Sequence, residues 1–322
     1  IDDRYDMHFY YQHNFMKNAE SGGIEDEGYI THPENMSQNF STNDIPTFLS
    51  HTWNRQEHDI AFFNQRLNFG FYREEVVDSV NTRKVFVPVS RIFHTIKLQN
   101  MMHNYRAYSE TANYHSYTYL PGDSTQDRTR NLSLRTHIGA SICEGFNKWA
   151  LFGVNAYIGY EHKRFSLPDS TIHGGFFTNT DGIIDKKTYK ENNVLVGGQI
   201  IRAHGSAVNY NIDGEMVVAG KSSGQFEIKG HGELNIPLFG DTAQVAINAY
   251  VKNLMPSFYF RQYHSKHAWW DNSTNKELRQ RIEGIVSLPK TGTRLAVGVE
   301  NIKNYCYFIN NGISHCQCFS LI

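Results

Sequence analysis

Residues 226 to 238 alternate without a break. Phe226, Ile228, Gly230, Gly232, Leu234, Ile236 and Leu238 form one column, and Glu227, Lys229, His231, Glu233 and Asn235 form the other. A period of two with one apolar and one polar column predicts a strand whose faces meet different surroundings. The same alternation runs through residues 132–142, 150–160, 210–218, 243–251, 278–288 and 293–299. Weaker forms at 4–13, 58–72 and 84–108, with the stretch between the connectors at 165–192 and 204–206, bring the expectation to about eleven strands. No segment carries a helical period. Even NKELRQRIEG, the best helical candidate, places its apolar residues as a strand would. The chain reads as all-β.

The connectors alternate in length. GFN at 145–147, HGS at 204–206, FGDT at 239–242 and PKTG at 289–292 are tight. The segments 165–192, 219–224 and 264–275 are longer. Short turns at one rim and longer loops at the other are the habit of an up-and-down membrane barrel. The parity holds if 242–264 is one long strand that bends near Pro256, a residue tolerated at an edge or above the membrane.

Which medium meets the apolar column is decided by size and length. The column carries many small residues, among them Gly214, Gly230, Gly232, Gly284, Ala140, Ala156, Ala243 and Ala249. A second sheet would require interlocking large side chains there, whereas lipid does not. The predicted strands also exceed the ~5–6 residues usual in globular sheets and suit a membrane crossing of about 9–11 residues. Aromatics gather near strand ends, at Tyr157 and Tyr160, at Phe258, Tyr259, Phe260 and Tyr263, and at Trp269 and Trp270, as an interfacial girdle would.

Composition changes this picture little. The 322 residues carry a formal net charge of −1, and aromatics make up 14%. No basic surplus invites nucleic acid. No run of 18 apolar residues suggests a membrane helix, which excludes helical membrane proteins and leaves barrels untouched. The chain opens on Ile1 in what looks like a strand in progress, so a fragment is expected. Cys306, Cys316 and Cys318 crowd its end without zinc-like spacing, and no metal or cofactor is expected. His264 and His267 in HSKH, with Ser265 between them, are sequence neighbours only. HExxH and CxxC are missing, and GKSSG at 220–224 fits GxSxG only in a connector between two strands, without the helix that follows a nucleophile elbow, so no catalytic residues are assigned and the chain is read as a non-enzyme.

Several stretches resemble the Putative porin family of Bacteroidota outer membranes: PTFLSHTWNRQEHDIAFFNQRLNFGFYREE (46–75), FVPVSRIFHTIKL (86–98), GHGELNIPLFGDT (230–242), PSFYFRQYHSKHAWWDN (256–272) and VENIKNY (299–305). The resemblance implies an outer-membrane β-barrel longer than this chain, with a channel or transport role. The expected architecture is an incomplete antiparallel up-and-down transmembrane barrel over 1–305, followed by an aberrant or disordered tail over 306–322. The expected function is passive diffusion of small hydrophilic solutes through a polar lumen, the alternative being a receptor, adhesin or secretion-associated barrel. The lumen-facing candidates are Arg135, Asn211, Asp213, Glu215, Glu227, Lys229, His231, Glu233, Arg279, Arg281, Glu283 and Arg294. Loops such as 165–192 would fold inward. Expected partners are outer-membrane lipid and the solutes, with homo-oligomerisation open.

Overall fold

The computed structural model describes residues 4–36, 41, 43, 45–76, 82–110, 114–120, 124–168, 186–205, 207–238, 241–308, 314–317 and 320–321. In chain order the elements begin with β1 (Tyr5–Ala19), α1 (Gly28–Thr31), β2 (Leu49–Val76), β3 (Thr82–Glu110), β4 (Thr125–Ile142), β5 (Gly153–Pro168) and β6 (Lys186–Arg202). There follow β7 (Val208–Gly220), β8 (Phe226–Leu238), β9 (Asp241–Leu254), α2 (Phe258–Arg261), β10 (Gln262–His264) and β11 (Trp269–Asp271). The last are β12 (Glu277–Leu288), β13 (Thr293–Lys303), β14 (Tyr305–Phe308), β15 (Ser314–Gln317) and β16 (Ser320–Leu321). One sheet holds β1 through β9, then β12, β13 and the short β16, each strand antiparallel to its sequence neighbour. Eleven long strands thus form an antiparallel meander. Among the described residues β1 and β13 are not paired with one another, so the sheet is not closed. No helix among them is long and apolar enough to cross a membrane.

The alternating rows become two faces because register is kept from strand to strand. Arg135 lies opposite Glu161, which lies opposite Asn193. Glu215 lies opposite Glu227, which lies opposite Lys252 and so Arg279. The register slips at Phe69/Gly70 and at Val194/Leu195. Gly70 is required at its bulge, because a Cβ there would stand 2.0 Å from the Val87 carbonyl oxygen.

The apolar column is the exposed one. Ile138 and Ile282 are each 55% exposed and Val297 is 69% exposed, whereas Glu161 and Asn193 on the polar face are 8% and 1% exposed. Beyond the apolar column at Gly232 and Gly284 there is open space, with nothing within 4 Å of an added Cβ. The molecule exposes 20559 Å². A compact soluble protein of 37.1 kDa would expose about 13,600 Å² by area scaling. Water would penalise this arrangement and hydrocarbon would not. On β4 the apolar column spans Leu132 to Ile142. At ~3.4 Å per residue and ~40° tilt that run rises about 26 Å, which matches the ~25 Å apolar band of outer-membrane barrels.

Three expectations change. First, the strands outrun their alternating segments: β1 reaches Ala19, past the alternation at 4–13, and β2 begins at Leu49, ahead of the alternation at 58–72. Beyond the membrane band both faces meet polar surroundings, so alternation fades while the backbone ladder continues. Second, the turn at 145–147 is wider, because Asn147 Oδ1 accepts the Trp149 and Ala150 amides at 2.8 and 2.9 Å and delays β5 to Gly153. Third, 242–264 is not one strand. β9 stops at Leu254 and Pro256 leads into α2. Tight and long connections still alternate, since all of 255–276 belongs to one long connection. After β13, β14 and β15 pair with Cys306 opposite Cys316, Cys306 is disulfide-bonded, and β16 pairs with β13. Cys143 is free and buried.

Ile138, near mid-band, provides a direct test of the exposed face. Ile138→Arg is expected to cost about 2–4 kcal/mol in lipid vesicles, against ~0.5 kcal/mol or less on a water-facing surface. Denaturant titration of the vesicle-inserted chain measures the difference.

Candidate functional site

The polar face is a continuous ion-paired wall. Glu227 binds Lys229 at 3.0 Å along its own strand and Lys252 at 2.8 Å on the next. His231 contacts Asn248 at 2.6 Å and Glu233 at 3.0 Å. Arg281 holds Glu283 at 3.0 Å and Glu300 at 3.8 Å, and Arg279 pairs with Glu277. Asn211 accepts the Gln199 amide at 2.8 Å. Asp213 stands in register between Gln199 and Lys229, and Arg294 opposite Ser287. Arg135 donates to Glu215 and, through Nε, to His137 at 3.0 Å. All twelve sequence-predicted residues therefore share one face.

That face is concave. Arg135 on β4 reaches Glu215 on β7 although β5 and β6 lie between. On a flat sheet three strand spacings of ~4.8 Å would hold the backbones about 14 Å apart, at the limit of both side chains combined. Tyr157 on β5 likewise donates to Glu215 at 2.9 Å, and Tyr250 on β9 donates to Glu300 on β13 at 2.6 Å. Gly197 makes room for this. A Cβ there would lie 2.3 Å from Tyr157 Cζ, so the ring crosses β6 only above a glycine.

The long connection 255–276 covers one end of the concavity. Phe258 stacks on Phe165 with centroids 4.0 Å apart and planes 7° from parallel, and both are 4% exposed. Arg261 pairs with Glu191 at 2.6 Å. The Lys266 amide donates to Asp127 at 2.8 Å, and His267 meets Thr125 Oγ1 and the Tyr117 carbonyl, each at 3.0 Å. His264 stacks on Trp269 and contacts the Pro168 carbonyl at 3.2 Å and Asp271 at 3.0 Å. The connection leaves β9 yet lands on β4, β5 and β6, so it straps across the mouth. Burial, with Asp127 nearby, pushes the Tyr263 phenol up to about 12, and it stays neutral. Beneath the strap lies a cavity of about 530 Å³ lined by Lys97, Asn131, Arg135, Glu161, Lys163 and Arg261 among others.

Against known proteins, the model of the family described as Putative porin matches residues 1–320. The chain belongs to that family. The match continues past Tyr305 into the segment 306–322, which the sequence reading expected to be an aberrant or disordered tail. A similar solved structure is the ferric-catecholate import receptor Fiu from E. coli K12 in its closed form. Identity is 13% and the TM-score 0.52, over 98% of this chain and 51% of that one. This chain thus spans about half of that receptor's length, and at this identity the likeness concerns the fold. No curated protein matches.

Of the loop 165–192 that this porin-family chain was expected to fold inward, residues 169–185 lie outside the described residues, and among the described residues the connection 255–276 packs on the concavity. Trp269 and Trp270 belong to its packing rather than to an interfacial girdle. Trp270 Nε1 donates to the Tyr259 carbonyl at 3.0 Å and its ring stacks on Tyr263. Tyr160 does lie on the exposed face beside the band's edge. His264 and His267 do not converge, Ser265 Oγ closes a turn on Ala268, and no metal-binding group of three occurs among the described residues. Sequence reasoning missed Tyr157, Glu161 and Lys163 as wall members. Their odd-number parity opposite Gly139, Arg135 and Ser133 was the available signal.

Gly197→Val is expected to displace the Tyr157 ring and destabilise the fold by about 1–3 kcal/mol. In a Tyr157→Ala background the same change is expected to cost less than half as much. Denaturant midpoints of the four-member cycle check this coupling.

Proposed function

We propose that this chain forms part of a porin-like outer-membrane channel through which small hydrophilic solutes diffuse along the concave polar wall. Arg135, Glu215, Glu227, Lys229, Arg281, Glu283 and their neighbours line the lumen. Their charges are paired with opposite signs, so the wall favours polar solutes without a single-sign filter. The observation that carries the reading is the inversion of faces: the charged face is the sheltered, concave one and the apolar face is the exposed one. Membership in a porin family supports it. The strap 255–276 sets the width of the mouth. No catalytic or cofactor chemistry is assigned.

A second reading is a receptor barrel that opens only when its mouth is released. The fold likeness to an import receptor and the docked strap favour it. Single-channel recording in a planar bilayer separates the two. A passive channel shows steady conductance as folded, and Phe258→Ala with Arg261→Ala enlarges the step. Removing the buried Phe258 ring is expected to weaken strap docking by on the order of 3 kcal/mol. A receptor-like barrel would be silent until those substitutions are made, and that result would retire the passive-channel reading.

A further inference from the structure

We propose that the outward surface of β4, β5 and β6, just beyond the apolar band, is a binding site for the phosphorylated headgroup of an outer-leaflet glycolipid. The site is a depression of about 320 Å³ lined by Arg128, Arg130, Leu132, Arg164, Ser166 and Lys186.

Register places these residues together. Arg130 lies opposite Ser166 and Leu132 opposite Arg164. All stand on the even positions of β4 and β5 that further down carry Leu134, Ile138 and Ile158, the exposed apolar column. Lys186, opposite Pro168, continues the even column of β6 that holds Val196 and Ile200. Lys190, opposite Arg164, adds a further cation on the same face. The cluster therefore does not face the lumen. It faces the membrane side at the height where hydrocarbon ends and headgroups begin.

The rim is the one that bears the long connections after β3, β5 and β9. In outer-membrane barrels long loops are extracellular and short turns periplasmic, so the facing leaflet is the outer one.

Among the described residues these charges have no carboxylate partner. Arg128 Nε is directed at Met102 Sδ and Arg130 Nε at Asn100 Oδ1, at 3.1 and 2.8 Å. Among the described residues no ion pair joins a carboxylate to Arg128, Arg130, Arg164 or Lys186. Asp59, an outer-face carboxylate on β2, is occupied by His13, Tyr11 and Asn100. Lys186 meanwhile feels the like charges of Arg128 and Arg130. Like charges held together around a depression call for an anion, and guanidinium forks match phosphate oxygens. Leu132 at the lower edge joins the depression to the apolar band, so a ligand with a phosphate above and acyl chains below fits both ends. A free anion would use only the upper half. Basic pockets at the edge of a membrane span are the usual means of holding anionic headgroups.

The test uses the full chain purified in neutral detergent, with bis-phosphorylated lipid A, chemically dephosphorylated lipid A and inorganic phosphate as probes, read by native mass spectrometry. The wild type is expected to retain bis-phosphorylated lipid A and to bind the dephosphorylated form about tenfold more weakly or worse. R128Q/R130Q/R164Q/K186Q is expected to lose that preference, while R128K/R130K/R164K, which keeps the charges, retains most of it. The single variants R130Q and K186Q, each expected to bind about threefold more weakly or worse, decide the matter if the fourfold variant does not fold. Equal retention by wild type and the glutamine variants overturns the proposal. So does equal binding of the dephosphorylated lipid. Displacement of lipid A by millimolar inorganic phosphate would assign the site to a free anion and overturn the lipid.

Discussion

In hydrocarbon a backbone N–H or C=O has no partner except another backbone group. A strand within the apolar band is therefore stable only when bonded to neighbours, and that requirement organises this molecule, in which β2 through β9 and β12 are bonded along both edges. It accounts for the unbroken meander in which each long strand follows its neighbour in space as in sequence. It also accounts for strands of 11 to 29 residues, far longer than a soluble sheet needs. The register slips at Gly70 and Val194 are small departures that bend the sheet without ending the ladder.

Once the ladder is fixed, side chains have two places to go, and their chemistry sorts them. The outer face needs only to be apolar, so glycines at 232 and 284 are tolerated with nothing beside them. The inner face must stabilise charges close together, and it does so by pairing them along one strand, as Glu227 with Lys229, and across strands, as Glu227 with Lys252. The longest reach, from Arg135 and Tyr157 to Glu215, depends on curvature and on the missing Cβ at Gly197. The tightest apolar packing is accordingly displaced from the sheet to the loop end, where Phe258, Phe165 and Leu167 exclude water.

The period of two made the strands and their two faces legible, and with them the face that the twelve polar candidates share. It failed where a second influence acted. The run Phe258, Tyr259, Phe260 and Tyr263 looked like a strand extension, but Pro256 ends the ladder and Phe258 gains more by stacking on Phe165, distant in sequence. Strand ends beyond the band were hidden because both faces are polar there. The basic cluster was also hidden, because Arg130 and Lys186 stand on either side of a long connector. Its one trace was that the charges continue the even, apolar columns past their upper ends.

By itself the sequence determined an all-β chain, about eleven strands in order, two faces of opposite polarity, and connectors that alternate in length. These are local properties, set by which residue types follow one another. Only the tertiary structure decided that the charged face is the concave one, which charges meet, which connection straps the mouth, and that scattered arginines share one patch. Each of those depends on sheet curvature and register, which join residues far apart in the chain and leave no local period to read.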